Sequence, residues 1–323
     1  MTTASVQAVV DVGGAPVGRL MDRVELRMAE LATGHGPVLA RYAGETIAAG
    51  GKRLRPLLVC IAAGAPPPET DGLVRAAVSV ELVHGATLVH DDVLDGSPLR
   101  RGRPTVVAAG GRHLATATGD LLFSRAFAEL AEGGSLAAVR VLSRASSELA
   151  EGELMQRADA WNAEVAVDRY LARCRLKTAV LFRAACELGA LEGNGARQTL
   201  ASFGEQIGLA FQILDDVLDV TGPPERTGKP RGADLLDGTV TLPFILAREA
   251  DAQLGELDAR TITTPEAAAD VCDRIAATGA LERSRERALE MVEEAKRELP
   301  AGIAAAQRRA LELVADGVVA RYS

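Results

Sequence analysis

Apolar residues recur at intervals of three and four along nearly the whole sequence, which is the repeat of an amphipathic α-helix. Strictly alternating runs of β-branched residues are scarce, and only 3% of the residues are aromatic, so strands are not favoured. Glycine pairs and proline runs separate the apolar stretches, as at Gly50-Gly51 and at residues 66–68. The sequence therefore predicts an all-α protein.

The periodic stretches predict about a dozen helices, and their ends are marked by breaker residues. They cover residues 17–32, 38–49, 52–64, 71–96, 112–132, 135–157, 168–190, 195–221, 240–255, 265–277, 280–298 and 303–321. No linker rich in proline or serine divides them, so residues 17–323 are expected to form one helical domain after a flexible N-terminus, residues 1–16. The one long loop, residues 222–238, is of a length that usually carries function or is disordered.

Charge and cysteine spacing argue against several classes of protein. A net charge of −8 disfavours a nucleic-acid partner, because phosphate backbones are bound by basic surfaces. The four cysteines lack CxxC spacing, which indicates reduced, buried thiols in a cytoplasmic protein. The first basic residue is Arg19, so no secretory signal is expected. The longest apolar stretch, residues 57–65, is about half of the roughly 18 residues that a membrane span requires, so no transmembrane segment is expected.

Two segments of the sequence resemble each other: LVHDDVLD at residues 88–95 and FQILDDVLD at residues 211–219. On a helix the first and fifth residues of DDVLD lie one turn apart on the same face. Stacked carboxylates repel each other unless a cation neutralises them, and an all-oxygen site with few ligands suits Mg²⁺ that is also bound to substrate phosphates. The candidate metal ligands are Asp91, Asp92, Asp95, Asp215, Asp216 and Asp219.

Two other interpretations of the aspartates are weaker. A single DDVLD could be a solvated helix end, but two copies, each following an apolar helical run, are unlikely to arise by accident. A calcium sensor of the EF-hand type requires a twelve-residue loop with a central glycine, and neither segment has one.

From about Gly18 onward, the chain resembles the trans (E-type) polyprenyl diphosphate synthases, which are isoprenoid synthases of type I. Besides the two aspartate motifs, the resemblance rests on GGKRLRP at residues 50–56, LRRG at 99–102, Gly119-Asp120, Lys177-Thr178 and Phe211-Gln212, in the family's order. It implies a single large helical bundle with a central active-site cavity, more than one Mg²⁺ ion per active site, and a homodimer.

The resemblance also implies roles for basic and polar residues, because a diphosphate needs several converging cationic donors. Isopentenyl diphosphate would be held by Lys52, Arg55, His84 and Arg101. The allylic diphosphate would be held by Arg100, Lys177 and Lys229, with Thr178 and Gln212 as further substrate-binding residues. Catalysis would depend on Asp91, Asp92, Asp95, Lys177, Asp215 and Asp216.

The segment after the second motif departs from the family pattern. The lysine that usually follows the glycine is replaced by Thr239, and a carboxylate often found before Asp234 is replaced by Ala233. We hypothesise that Lys229 or Arg231 supplies the missing charge.

In this family, bulky residues just before the first motif stop chain growth early. Helical spacing places Thr87, Val83 and Val80 below Asp91, with Ala86 beside them, and none of them is aromatic. The candidate chain-length residues are Val83, Ala86 and Thr87. The sequence therefore predicts a trans-polyprenyl diphosphate longer than farnesyl diphosphate.

Two alternative functions remain open at this point. A class I terpene cyclase shares the first motif and the helical fold, but it does not need Lys52, Arg55 and His84. A regulatory subunit of a heteromeric prenyl synthase is the other alternative, although such chains typically lose the aspartates that this chain keeps.

Overall fold

The computed structural model describes residues 3–33, 36–48, 51–100, 102–193, 195–222 and 230–320. Within these ranges the protein is helical apart from one short hairpin, which confirms the predicted all-α class. The helices are α1 Thr3–Gly13, α2 Ala15–Leu31, α3 Pro37–Ala48, α4 Leu54–Ala62, α5 Asp71–Leu94, α6 Val106–Glu132, α7 Leu136–Asp159, α8 Val167–Cys174, α9 Val180–Glu192, α10 Arg197–Thr221, α11 Ala233–Leu236, α12 Leu242–Ala250, α13 Ala252–Glu256, α14 Pro265–Ala277, α15 Ala280–Arg297 and α16 Ala305–Val319. Strands β1 Leu99–Arg100 and β2 Arg103–Pro104 pair antiparallel. A π-helical turn, Arg175–Ala179, joins α8 to α9, and a 3₁₀ turn, Ala259–Thr261, follows α13.

The N-terminal residues differ from the expectation of a flexible segment over residues 1–16. Residues 3–13 form α1, which packs on α2, and Val9 is fully buried. The physical reason is the spacing of Val6, Val9 and Val10, which gives α1 an apolar face. The other helix ends lie within a few residues of their predicted places, except that α6 begins before a kink at Gly111 (φ 78°).

Two predicted helices are interrupted in the structure. The helix expected at residues 168–190 contains the π-helical turn, and the one expected at 240–255 is divided at Asp251. The Asp251 carboxylate accepts hydrogen bonds from the backbone N–H groups of Gln253 (2.8 Å) and Leu254 (3.0 Å), so it caps α13 and starts a new helix.

The chain forms two compact units. Unit 1 contains residues 1–146, 181–204 and 298–317, and unit 2 contains residues 147–180, 205–297 and 318–323. One domain over residues 17–323 stays a prediction. In unit 1, α5 packs against α2, α3, α4 and α6, and in unit 2, α12 packs against α8, α14 and α15.

Helix α5 is the central element of unit 1. Among the described residues it is the one helix with the length and mean hydropathy, 1.4, of a membrane span. Because 67% of its most apolar window is buried in the protein, its composition is that of a core helix. The four cysteines are also buried and free, as their spacing predicted.

Helix α9 packs closely on α4, the helix that follows the basic motif. A Cβ at Gly189 would lie 2.2 Å from the carbonyl oxygen of Val59, which is backbone and cannot rotate away. We expect Gly189→Ala to lower the free energy of unfolding by about 2 kcal/mol. Gly44→Ala is the control, because a Cβ there meets nothing closer than 3.9 Å, and the helix should be unchanged or more stable by about 0.5–1 kcal/mol. If denaturant titrations showed equal decreases in the free energy of unfolding for the two variants, the packing argument would be contradicted.

Candidate active site

The first aspartate motif lies at the C-terminal end of α5. Thr70 caps the N-terminus of this helix, because its hydroxyl oxygen accepts a hydrogen bond from the Leu73 N–H. At the other end the Asp95 N–H donates to the Asp91 carbonyl at 2.8 Å. Gly96 follows with a φ of 61°, which ends the helix in a left-handed turn. Asp91 is half-buried and Asp95 is exposed, one turn apart at this end.

Asp92 differs from its two neighbours in the motif because it is buried, with only 4% of its surface exposed. Arg100 of β1 donates a hydrogen bond from Nε to its Oδ1 atom at 2.9 Å and forms an ion pair with it, with Nη2 2.8 Å from the same oxygen. The hairpin that carries Arg100 is anchored by Thr105, whose hydroxyl donates to the Ser97 carbonyl at 2.6 Å. Asp92 is therefore paired within the protein, and so is Arg100, which we predicted to hold the allylic diphosphate.

The basic motif at residues 50–56 leads into α4. Lys52 is exposed, and Arg55 is half-buried with its guanidinium over the ring of Phe182, 4.5 Å from the centroid. Arg53 has a left-handed backbone, φ 47°, and its side chain is only 12% exposed. It donates to the carboxylates of Glu25 (2.6 Å) and Glu81 (3.1 Å), so it is a structural residue between helices. This pairing links α2, α4 and α5 next to the motif.

Two variants separate the structural arginine from the candidate substrate-binding lysine. Arg53→Ala is expected to destabilise the fold by about 3 kcal/mol, because it leaves the buried Glu81 without this partner. Lys52→Ala is expected to leave the unfolding midpoint unchanged, because Lys52 is exposed, and to raise the KM for isopentenyl diphosphate about tenfold, which corresponds to one charge-assisted contact. Thermal unfolding and steady-state kinetics measure the two effects. The assignment fails if Lys52→Ala lowers stability but leaves the KM unchanged.

A cavity of about 420 Å³ lies beside α5 in unit 1. Its lining includes His84, Leu88 and Asp92 of α5, together with residues of α3, α6 and the hairpin. The predicted chain-length residues are not among those that line it: Val83 and Ala86 are fully buried, and Thr87 is half-buried. The cavity therefore lies against a different face of α5 from the one that those three residues occupy. Their role in chain length stays a prediction.

In unit 2 the Lys177-Thr178 pair lies in the π-helical turn between α8 and α9. Such turns are rare and are frequently found at functional sites. Helix α7 approaches this turn closely at Gly152, where a Cβ would lie 2.6 Å from the backbone nitrogen of Lys177. The Lys177 ammonium donates to Glu153 at 2.5 Å. Burial raises the pKa of the Glu153 carboxyl, but hydrogen bonds and charge from Lys177 and Arg157 outweigh it, and the net shift is downward.

A chain of hydrogen bonds connects this turn to the second aspartate motif in α10. The Thr178 hydroxyl donates to Gln212 Oε1 at 2.7 Å, and Gln212 Nε2 donates to Asp216 Oδ1 at 2.7 Å. The hydroxyl of the fully buried Tyr170 donates to Asp216 Oδ2 at 2.6 Å. Burial, and then the charge of Asp234, raise the pKa of Asp216. Both carboxylate oxygens of Asp216 therefore accept hydrogen bonds within the protein, whereas Asp215 and Asp219 are partly exposed.

The segment after α10 returns to the last aspartate of the motif. The Gly232 N–H donates to the Asp219 carbonyl at 3.0 Å, and the Asp234 N–H donates to Asp219 Oδ2 at 3.2 Å. Arg231 donates to Asp273 at 2.6 Å and to the Val220 carbonyl at 2.5 Å. Because its guanidinium is held there, the hypothesis that Arg231 replaces the missing lysine is not supported. Lys229 and Arg101 lie outside the described residues.

The residue types at the two motifs fit a hard divalent cation. Within the part of the chain that the structure describes, no group of three or more His, Cys, Asp or Glu side chains could hold a metal by itself. Each motif instead presents two carboxylates one turn apart, Asp91 with Asp95 and Asp215 with Asp219. This number suits Mg²⁺, which keeps waters and takes phosphate oxygens as further ligands.

Sequence reasoning missed several residues that orient the site. Tyr170, Glu153 and Glu81 carry no motif, and each contacts a motif residue that is distant in the chain. No local sequence signal marks these residues, because the contacts join positions 46, 24 and 28 residues apart in the chain.

Comparisons with known proteins identify the family. Residues 37–277 match the sequence profile described as Polyprenyl synthetase. The chain is 41% identical over 256 residues to heptaprenyl diphosphate synthase component 2 of Geobacillus stearothermophilus, which covers 77% of this chain and 79% of that protein. It is 36% identical over 281 residues to the geranylgeranyl diphosphate synthase of Methanosarcina mazei, which covers 84% and 86%.

A solved structure agrees with these relatives. The polyprenyl synthase of Caulobacter crescentus CB15, complexed with calcium and isoprenyl diphosphate, superposes with a TM-score of 0.89 at 34% identity and covers 100% of this chain and 98% of that one. The all-α fold, the two aspartate motifs and these matches lead to one conclusion: the chain belongs to the polyprenyl synthetase family.

Proposed function

We propose that this prenyltransferase condenses isopentenyl diphosphate with an allylic diphosphate and releases a trans-polyprenyl diphosphate longer than farnesyl, using more than one Mg²⁺ ion per active site. The observation that carries the proposal is an arrangement found in both motifs. In each, the second aspartate is buried and hydrogen-bonded, Asp92 to Arg100 and Asp216 to Tyr170, while the first and fifth are accessible to a metal.

The proposed reaction breaks the C1–O bond of the allylic diphosphate, and pyrophosphate leaves. The C1 atom bonds to C4 of isopentenyl diphosphate, and a proton is lost from C2, with pyrophosphate as its acceptor. When bound, Mg²⁺ supplies Lewis-acid stabilisation of the leaving group. Lys52 and Arg55 hold the diphosphate of isopentenyl diphosphate, while Lys177 adds positive charge for the allylic diphosphate. No side-chain nucleophile is required.

Two observations support a product longer than farnesyl. Val83, Ala86 and Thr87, which precede the first motif, are all small to medium in size. The two relatives described above are named for synthases of products longer than farnesyl diphosphate, heptaprenyl and geranylgeranyl diphosphate. A cytoplasmic location and a homodimer remain part of the proposal, and the buried free cysteines support a reducing compartment.

A second candidate is the reactive subunit of a heteromeric synthase. It is favoured by the name of the Geobacillus relative, which is component 2 of its enzyme. Under this proposal, the chain keeps its aspartates and its chemistry but reaches full activity with another chain.

Incubation of the purified chain with Mg²⁺, radiolabelled isopentenyl diphosphate and geranyl or farnesyl diphosphate tests these functions. We expect label to enter a product whose mass exceeds that of farnesyl diphosphate. Conversion of the allylic diphosphate without consumption of isopentenyl diphosphate would indicate a cyclase. Activity that appears only after a second protein is added would indicate the heteromeric enzyme. A product that stops at farnesyl diphosphate would refute the predicted length.

A further inference from the structure

The segment that follows α11 is held from one side by the only tryptophan of the chain. The backbone N–H of Trp161 donates a hydrogen bond to the Gly238 carbonyl at 2.8 Å. Its ring lies against Gly238, where a Cβ would come within 2.4 Å of ring atoms. Trp161 has a φ of 63°, a left-handed conformation that is costly for a bulky residue and persists only where surrounding contacts enforce it. These contacts fix the backbone at Gly238.

A buried arginine holds the same segment two residues further on. Arg173, 3% exposed, donates through Nη2 to the Val240 carbonyl, and its guanidinium lies 5.5 Å from the ring centroid of Tyr170. Its Nη1 atom lies 3.6 Å from the buried carboxylate of Asp159, which also accepts from Arg169 at 2.6 Å. Asp159 is the last residue of α7 and lies two residues before Trp161, so both sets of contacts involve the C-terminal end of this helix.

The other end of the segment contacts the second aspartate motif. Asp234 connects the two ends, because its N–H donates to Asp219 Oδ2 at 3.2 Å and its carbonyl accepts from the Thr239 N–H at 2.8 Å. A displacement of the backbone at Gly238 or Val240 would therefore reach the Asp219 carboxylate through one residue.

We infer that Trp161 and Arg173 are positioning residues that hold Gly238–Val240 and, through Asp234, orient Asp219 for metal binding. The inference rests on the proposed function of Asp219 as a metal ligand.

A matched pair of arginine variants tests this role. Arg173→Lys is expected to raise the Mg²⁺ concentration for half-maximal rate, and the KM for the allylic diphosphate, about tenfold. Loss of a residue that orients a metal ligand typically weakens metal binding by this amount. The KM for isopentenyl diphosphate should not change. Arg248→Lys is the control, because Arg248 also donates to backbone carbonyls, those of Leu254 and Leu257, and lies over an aromatic ring, Phe244. Equal effects of both variants on Mg²⁺ dependence would overturn the inference.

The tryptophan gives a readout that does not depend on turnover. Addition of Mg²⁺ with inorganic pyrophosphate is expected to change the Trp161 emission of the wild-type protein, and Arg173→Lys should need about ten times more Mg²⁺ for the same change. Trp161→Ala should reproduce the kinetic effects of Arg173→Lys, and Trp161→Phe should restore wild-type Mg²⁺ dependence because it keeps an aromatic face on Gly238.

The outcomes separate this inference from the proposed function. If the wild-type protein does not consume isopentenyl diphosphate, the proposed function fails. The emission titration still shows whether binding of Mg²⁺ and pyrophosphate changes the environment of Trp161. An emission that does not respond to Mg²⁺ and pyrophosphate in an active enzyme overturns the positioning role alone.

Discussion

Replacement of Asp91 by asparagine is expected to lower kcat about a thousandfold, because the variant loses one of the charges that would bind the metal at the leaving group. Asp91 lies one turn before Asp95 at the end of α5 and is only half-buried. The free energy of unfolding should therefore change by no more than about 0.5–1 kcal/mol. Product formation from labelled isopentenyl diphosphate over a range of Mg²⁺ concentrations measures the first effect, and denaturant titration measures the second.

Two further variants on the same helix serve as controls. Asp71→Asn alters an 86% exposed side chain in the first turn of α5 and should leave turnover unchanged. Asp92→Asn weakens the pair with Arg100 and should reduce stability as well as turnover, since Asp92 is buried. If Asp91→Asn kept more than about a tenth of the wild-type rate, it would falsify the assignment of Asp91 as a metal ligand, since loss of such a charge is expected to cost several kcal/mol.

The different roles of adjacent aspartates mark one limit of the sequence interpretation. The repeated DDVLD pattern predicted two metal sites and assigned all six carboxylates alike. The second aspartate of each motif is rotated by about 100° from the first on a helix, so it faces the protein interior. Helical geometry alone could have distinguished Asp92 from Asp91. It could not have supplied the partners, because Arg100 comes from the hairpin and Tyr170 lies 46 residues before Asp216.

The helices were largely predictable, because local periodicity and breaker residues act over a few positions. The structural features that were missed depend on contacts between distant segments. Arg53 has no role assigned from the sequence, yet its side chain joins Glu25 and Glu81, each 28 residues away along the chain. The π-helical turn at Lys177 has no sequence signal of its own, and its packing against Gly152 appears only in three dimensions. Pattern reasoning therefore predicted the motif residues and missed many of the contacts that hold them in place.

Product length is the other property for which a single substitution is expected to have a large effect. Thr87→Phe should shorten the main product by at least one five-carbon unit, because residue 87 lies one turn below Asp91, on the side where the growing chain is proposed to descend. Thr87 is half-buried, so a phenyl ring there should strain the core less than one at the fully buried Ala86. Mass analysis of the products at matched substrate ratios measures the change.

Two controls decide which face of α5 the hydrocarbon follows. Thr87→Val keeps the volume of the side chain and should leave the product length unchanged. Leu88→Phe places the same ring one residue further along, in the cavity of about 420 Å³ on the Asp92 side of the helix. If Leu88→Phe shortens the product and Thr87→Phe does not, the hydrocarbon lies in that cavity, and the prediction for Val83, Ala86 and Thr87 is wrong. The reverse result would assign the growing chain to the Asp91 face and leave the observed cavity without a role in chain length.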